Sequence, residues 1–267
     1  MSDDVYVHGH HESVLRSHTW RTIDNSAKYL EKYLVGNSRL LDVGCGPGTI
    51  TIDFAKRLSE GTVLGIDTSD EIIEKALFAS QEFELSNCSF DIGNTYHLDF
   101  EDDTFDIVHA HQLLQHLTNP VEAIKEMRRV VRPGGIVALR DADYGGMIWA
   151  PADSKLDDWM DLYQRMTGKN NVVANAGRFL FSWATQASFS SVEVSSSTWT
   201  FSTPETRQWW GELWAERIQK STFSDQIFEH GLGTQDLLDD LSAAFRRWAD
   251  EPDGFFLVPH VEIIAIK

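Results

Sequence analysis

The chain is predicted to be an α/β protein whose mostly parallel sheet carries helices on both faces. Three features of the sequence lead there. Short apolar runs alternate with helical periods from Arg39 to Asp143, the first of these runs ends directly in glycines, and no internal repeat or low-complexity tract breaks the pattern. Successive parallel strands need a crossover between them, so an alternation of strand and helix implies a parallel sheet covered on both sides.

Taken in order, Leu40-Leu41-Asp42-Val43 reads as a buried strand, and helical spacing follows from Thr49 to Leu58. Thr62–Asp67 is a second strand with an acidic end. Thr68-Ser69-Asp70-Glu71 is a helix start signal, opening a helix that carries Ile72, Ile73, Ala76, Ala79 and Phe83. A third strand is expected near Cys88–Ile92 and a fourth over Phe105–Ala110. Asn119-Pro120 starts a helix with Val121, Ile124, Met127 and Val131 inward, which Pro133-Gly134-Gly135 ends before the strand Ile136–Leu139. Residues 150–190 read as mostly helical and Val192–Phe201 as a strand. Thr203-Pro204-Glu205 then begins a Trp-rich helix. Thr234–Trp248 places Leu237, Leu238, Leu241, Ala244, Phe245 and Trp248 on one stripe, and Phe255–Ile266 closes the chain as a strand.

With 267 residues the chain can bury a full core as one structural domain. Its net charge of −18 disfavours a nucleic-acid partner, which demands Lys/Arg neutralisation of phosphates, and equally an anionic membrane surface. Two cysteines, Cys45 and Cys88, are too few for a disulfide framework, which points to a reducing, cytoplasmic setting. The acidic start Met1-Ser2-Asp3-Asp4 lacks the features of a signal peptide, and no apolar run reaches the roughly 18 residues of a membrane span.

A strand entering Gly44-x-Gly46-x-Gly48 and then a helix makes a tight turn that backbone and ligand can share closely. By itself this is a weak signal, since dinucleotide-binding proteins use a related loop. Their fingerprint is G-x-G-x-x-G, however, and here the third glycine comes one residue early. Asp67 ends the second strand, where a carboxylate can accept hydrogen bonds from ribose hydroxyls. Asp42 would repel a pyrophosphate but suits an ammonium. These features describe a nucleoside ligand with a cationic amino-acid part and no phosphates. The blander alternatives are that Asp42 caps the neighbouring helix and that Cys45 is merely small.

Asp-x-Gly-x-Gly-x-Gly (42–48), Asp67, Phe-Asp-Ile-Val (105–108) and Arg-Pro-Gly-Gly (132–135) together resemble the class I S-adenosylmethionine (SAM)-dependent methyltransferases. The nearest group is the ubiquinone/menaquinone-biosynthesis C-methyltransferase type (methyltransferase type 11 domain), and the similarity spans about residues 39–140. The resemblance implies a Rossmann-like, seven-stranded mixed sheet with its last strand antiparallel, SAM as cofactor and S-adenosylhomocysteine as product. It places Gly44, Cys45, Gly46 and Gly48 under the cofactor, Asp42 by its amino-acid part, Asp67 and Thr68 at the ribose, and His111 and Gln112 by the methionine moiety. The family often has Gly-Asp after the third strand; Gly93-Asn94-Thr95 departs from that, leaving Asn94, beside Thr95, to offer a carbonyl to the adenine. The segment before the first strand, residues 1–36, would fold over the pocket as a lid carrying Tyr6, His18, Trp20 and Arg21. Residues 37–145 would form the SAM-binding core, and 146–267 the remaining strands with helices at 152–168, 204–220 and 234–249 as a substrate cap.

Methyl transfer chiefly needs alignment, with a base for some acceptors. Ligands in open α/β sheets lie beyond the carboxyl ends of the strands, where this chain has His109, His111, Gln112, Gln115 and His116, then Arg140, Asp141, Asp143 and Tyr144. His116, Asp141 and Tyr144 are the catalytic candidates. His116 is the best base by type, with an ordinary pKa of about 6.5, though it could simply pack against Leu113 and Leu117. Arg140-Asp141-Ala142-Asp143 could equally be a structural knot of ion pairs. His8, His10 and His11 lack a partner pair of the zinc type, so no metal is expected, and two thiols do not support arsenic chemistry. Eight of the nine tryptophans follow residue 145, namely Trp149, Trp159, Trp183, Trp199, Trp209, Trp210, Trp214 and Trp248. They suggest aromatic pocket walls, with Trp149 and Arg140 touching substrate, although core packing accounts for Trp248 and one of Trp209/Trp210. The expected function is methyl transfer to a small apolar or aromatic acceptor by a monomer or homodimer. The alternatives are a SAM-binding module without transfer and an NAD-dependent reductase, the latter disfavoured by Asp42 and the loop spacing.

Overall fold

The first of the expected strands, Arg39–Val43 (β1), sits at the centre of an eight-stranded sheet in the computed structural model, which describes residues 12–267. Tyr6, His8, His10 and His11 lie outside the described residues. A short helix, Glu12–Thr19 (α1), leads through a single π-helical turn at Ile23–Ala27 and a 3-10 segment at Lys28–Tyr33 into β1. Then follow Thr49–Arg57 (α2), Thr62–Asp67 (β2), Asp70–Gln81 (α3), Cys88–Ile92 (β3), Phe105–His111 (β4), Pro120–Val130 (α4) and Val131–Ala142 (β5). The later half supplies Ile148–Ala150 (β6), Ser154–Lys169 (α5), Leu180–Gln186 (α6), Ser191–Phe201 (β7), Pro204–Lys220 (α7), Thr222–Glu229 (α8), Gln235–Asp250 (α9) and Phe255–Ile266 (β8).

The strand order runs β3-β2-β1-β4-β5-β8, with β7 on the far side of β8 and β6 beside its first residues. β1 to β5 are mutually parallel, and β8 is antiparallel to β5, from Ile136 opposite Ile266 to Ala142 opposite His260. The expected mixed sheet is present, with one short strand more than the seven anticipated. The extra strand exists because β8 outruns β5, leaving Phe255–Leu257 an open edge that Ile148–Ala150 pairs with.

The start signals act as their chemistry dictates: Ser69 Oγ accepts from the backbone of Ile72, and Thr203 Oγ1 from that of Thr206. One face of the sheet packs on α4 and α6 through Val108, Ile124, Met127, Leu139 and Leu180. The other packs on α2 and the 23–33 segment through Leu40, Phe54, Ile107, Ala138, Ile23 and Leu30. A third core, between α5, α7, α9 and the start of β8, is strongly aromatic: Trp159, Tyr163, Trp210, Trp214, Phe245, Trp248 and Phe256 bury one another. Trp248 Nε1 donates to Ala150 O at 3.1 Å, tying α9 to β6. The N-terminal helix joins this region through the Arg16–Glu216 ion pair.

Candidate active site

The order of strands reverses between the parallel neighbours β1 and β4, and beyond their carboxyl ends lies a cavity of about 230 Å3. Its floor is the turn after β1. Gly44 and Cys45 both donate backbone N–H to Ile66 O, at 2.8 and 2.9 Å, which pins the turn to β2. Gly44, Gly46 and Gly48 all have left-handed backbone, with φ of 70, 55 and 80°. The last two are glycine for different reasons. A Cβ on Gly48 would lie 2.7 Å from the Phe90 ring, so packing under the loop excludes it. Among the described residues, a Cβ on Gly46 would have only His18 Nδ1 near it, at 3.9 Å, so the loop's open side is the cavity side.

Asp67 stands beside this floor, its Oδ2 accepting from Gly46 N at 3.1 Å and its Oδ1 from Ser69 N at 3.2 Å. Asp42 is 3% exposed, and both its oxygens already have protein partners: Thr51 Oγ1 donates to Oδ2 at 2.6 Å and His109 Nδ1 to Oδ1 at 2.7 Å. Asp42 does not cap α2, whose N-cap is Gly48 without a side-chain cap bond; it accepts from the hydroxyl of Thr51 inside that helix. At the third strand, Asn94 Oδ1 accepts from its neighbour Tyr96 N at 2.9 Å. Thr95 Oγ1 is instead buried on the cavity wall with no hydrogen-bond partner among the described residues, so the group left unsatisfied by them at this end is the threonine and not the asparagine. Burial pushes the Cys45 thiol well up, and it stays protonated.

The opposite wall follows β4. Gln112 has φ of 51° and donates its N–H to Arg140 O at 2.7 Å. Its amide is clamped, with Oε1 accepting from Arg21 at 2.7 Å and Nε2 donating to His260 Nε2 at 2.7 Å. His260 Nδ1 donates in turn to Val258 O at 3.0 Å, which fixes the neutral ring. His111 lines the cavity at 6% exposure, and neither ring nitrogen is hydrogen-bonded among the described residues. Burial, then the Arg140 and Arg21 guanidiniums, hold it well below the usual histidine range. His116 accepts at Nε2 from Gln115 Nε2 at 3.0 Å. Burial, helped by Arg21 and Arg217, pushes His116 down to about 3, so the pKa of about 6.5 that recommended it as a base does not hold in the fold. Tyr144 stacks on Tyr163 with centroids 4.4 Å apart, and burial raises its phenol.

Of the residues singled out from sequence, the cavity brings together His18, Arg21, Asp42, Gly44, Cys45, Gly46, Asp67, Thr68, Asn94, Thr95, His111, Gln112, His116 and Tyr144. Four others lie elsewhere. Asp141 is fully buried behind the wall, its Oδ1 accepting from Gln115 N at 3.1 Å, and burial lifts it to about 7 against the pull of that bond and of Leu114 N–H. Arg140 is likewise fully buried, ion-paired to Glu262 and bonded to Ser197, so the structural-knot alternative is the one realised there. Trp149 stacks on Phe256 at 5.6 Å in the aromatic core. Trp20 packs edge-on against Trp199 at 5.2 Å, beside a separate recess. None of the later tryptophans is among the described residues that line the cavity: most pack into the aromatic core, and Trp183 stacks on Phe179 at 5.7 Å. Gly48 supports the loop from below. Arg217 was missed, although a cation on the buried face of α7, between Trp210, Leu213, Trp214 and Ile218, is a readable signal. Gln115, one of the polar residues noted after the fourth strand, is the neighbour that holds His116.

Residues 34–213 match the model of a methyltransferase domain. An uncharacterized methyltransferase of Schizosaccharomyces pombe is 36% identical over 98% of this chain and 96% of its own length. Among solved structures, the YcgJ protein of Bacillus subtilis superposes with a TM-score of 0.59 at 20% identity, covering 90% of this chain and 97% of that one. The phosphoethanolamine N-methyltransferase 2 of Haemonchus contortus, solved with phosphomonomethylethanolamine and S-adenosylhomocysteine, gives 0.54 at 18% identity over 87% of this chain and 49% of its own.

Proposed function

The chain belongs to the SAM-dependent methyltransferases, and from that premise we propose that the cavity holds SAM along the β1 turn and delivers its methyl group to a small polar molecule seated between His116, Tyr144 and Arg217. The single observation that carries this reading is the floor at Gly46, the one loop glycine whose missing side chain leaves room on the cavity side. In this reading Asp67 accepts from the ribose hydroxyls and Thr95 Oγ1 bonds the adenine edge. Arg21, held by Gln112, is placed to pair with the donor's carboxylate. Asp42 contributes negative potential near the ammonium from behind, its oxygens being occupied by Thr51 and His109.

When bound, SAM supplies an electrophilic methyl on a sulfonium, leaving S-adenosylhomocysteine after transfer. The protein's part is alignment and exclusion of water. α1 and the turn after it bring His18 and Arg21 over the loop, and Thr49 Oγ1 donates to His18 O at 3.1 Å, so this segment serves as the lid. Protonating His116 would place a buried cation beside two guanidiniums and break its bond from Gln115. In this reading His116 does not take the acceptor's proton, which suits an acceptor group that is already nucleophilic. Calorimetric titration with SAM and S-adenosylhomocysteine tests the reading. Binding of both in the micromolar range is expected, and binding of neither at millimolar concentration refutes it.

A further inference from the structure

At Gln112 three parts of the chain meet, and hydrogen-bond chemistry dictates which way its amide points. Val258 O can only accept, so His260 Nδ1, 3.0 Å from it, carries the ring proton. Burial, then the Arg140 and Arg21 guanidiniums, hold His260 well below the usual histidine range, which leaves Nε2 as a lone pair. The Gln112 atom 2.7 Å from that lone pair is therefore the amide nitrogen. Its oxygen then faces Arg21 Nη2, which can only donate, also at 2.7 Å. Both ends of the amide demand the same orientation. The reverse one would set a donor against a guanidinium and an oxygen against a lone pair.

The surroundings hold this arrangement in place. Gln112 has a φ of 51°, a left-handed backbone that persists in a residue with a side chain only where neighbours over-determine it. Its N–H is fixed on Arg140 O at 2.7 Å. His260 is fully buried on β8, with the Trp199 ring 4.3 Å away. Trp199 also fastens the N-terminal segment, because its Nε1 donates to Asn25 O at 2.7 Å and Trp20 packs edge-on against it. Residues 20–25 are thus tied to β7 and β8 at two points, one through Trp199 and one through the chain His260–Gln112–Arg21.

We propose that His260 is a positioning residue for the cofactor: by orienting the Gln112 amide it holds Arg21, and with it the segment that closes over the β1 turn, at the amino-acid end of SAM. The inference rests on the reading of the cavity given above. It gives a role to a buried histidine that is not among the described residues lining the cavity and that stands 148 residues from the side chain it directs.

The test uses the full chain and two ligands, S-adenosylhomocysteine and methylthioadenosine. The second keeps the nucleoside and the sulfur but lacks the amino-acid part. His260→Phe keeps a ring beside Trp199 and removes the acceptor for the amide. In calorimetric titrations it should weaken S-adenosylhomocysteine by about tenfold or more and methylthioadenosine by no more than about twofold. Because His260 acts through Gln112, the double variant with Gln112→Leu should lose no more S-adenosylhomocysteine affinity than Gln112→Leu alone. Equal weakening of both ligands makes His260 structural and overturns the proposal. Unchanged S-adenosylhomocysteine affinity in His260→Phe, or losses that add in the double variant, overturn it as well. Failure of the unaltered chain to bind S-adenosylhomocysteine overturns the parent reading and this one with it, whereas the other outcomes leave the parent reading standing. Should His260→Phe not fold, the nitrogen NMR resonances of His260 in the unaltered chain decide: a ring protonated at Nδ1 alone supports the proposal, and a proton on Nε2 overturns it.

Discussion

Gly46 and Gly48 share a left-handed backbone two residues apart, yet alanine at the two positions should fail in different ways. Giving a Cβ to a left-handed residue costs about 1–2 kcal/mol. At Gly46 that is the whole stability cost, since the added carbon meets nothing closer than His18 Nδ1 at 3.9 Å. At Gly48 the carbon arrives 2.7 Å from two atoms of the Phe90 ring and 3.0 Å from Ala76 Cβ, and overpacking of that kind adds about 1–3 kcal/mol. The totals are about 1–2 and about 2–5 kcal/mol. At about 2–4 °C per kcal/mol for a chain of this size, Gly46→Ala should lower Tm by about 2–8 °C and Gly48→Ala by about 4–20 °C. Binding should rank the other way at matched fraction folded. The Gly46 methyl points into the floor on which the nucleoside lies and should weaken S-adenosylhomocysteine by about tenfold or more, whereas Gly48→Ala, where it stays folded, should bind better than Gly46→Ala. Calorimetric melting and titration of the two purified variants give all four numbers. If Gly46→Ala binds S-adenosylhomocysteine within about twofold of the parent, the loop does not pass under the cofactor and the reasoning fails.

Asp67→Ala removes the carboxylate expected to hold the ribose and should weaken SAM and S-adenosylhomocysteine alike by the worth of charged hydrogen bonds, about 1.5–3 kcal/mol; titration showing no change would remove Asp67 from the site. Asp141 has a folded-state pKa raised to about 7, so the native state holds a proton that the unfolded chain releases above about pH 4, and stability from this residue falls as pH rises between the two values. Asp141→Asn keeps an acceptor for Gln115 N–H and abolishes that loss, so its stability relative to the parent should grow between pH 4 and 7 by up to about 4 kcal/mol; urea curves at pH 4.5 and 8 with the same difference would refute it. Trp149→Ala should reduce stability by about 1–3 kcal/mol through lost stacking on Phe256 and leave S-adenosylhomocysteine affinity unchanged, because Trp149 lies in the aromatic core. Weakened cofactor binding at full folding would return it to the pocket.

What could be read from the sequence was what is decided locally. The β1, β2, β4 and β8 segments and the helices Thr49–Arg57, Asp70–Gln81 and Pro204–Lys220 follow from apolar periods and caps within a few residues of one another. β6 and α8 went unread for a physical reason. Ile148–Ala150 is a strand because β8 extends beyond β5 and offers an unpaired edge, a condition set more than a hundred residues away. Thr222–Glu229 begins immediately after α7, with Ser221 ending one helix and capping the next, and the sequence reading, which ends its helix at 220, carries no second helix there.

The same division runs through the site. The glycine turn and Asp67 were legible because backbone sign and strand ends are properties of neighbouring residues. Which group is left unsatisfied was not: Asn94 turns its carbonyl onto Tyr96 while Thr95, its neighbour, keeps a buried hydroxyl for the cavity. A tryptophan stripe says that a helix face is covered without saying by what, and here α5, α7, α9 and β8 cover one another. The strongest misreading concerned His116, judged by the pKa of an imidazole in water. Burial and two guanidiniums from residues 95 before it and 101 after it decide its charge instead. That correction bears on the chemistry expected of the acceptor, because an imidazole held neutral by burial is a poor base, and an acceptor that needs no proton removed suits such a neighbour.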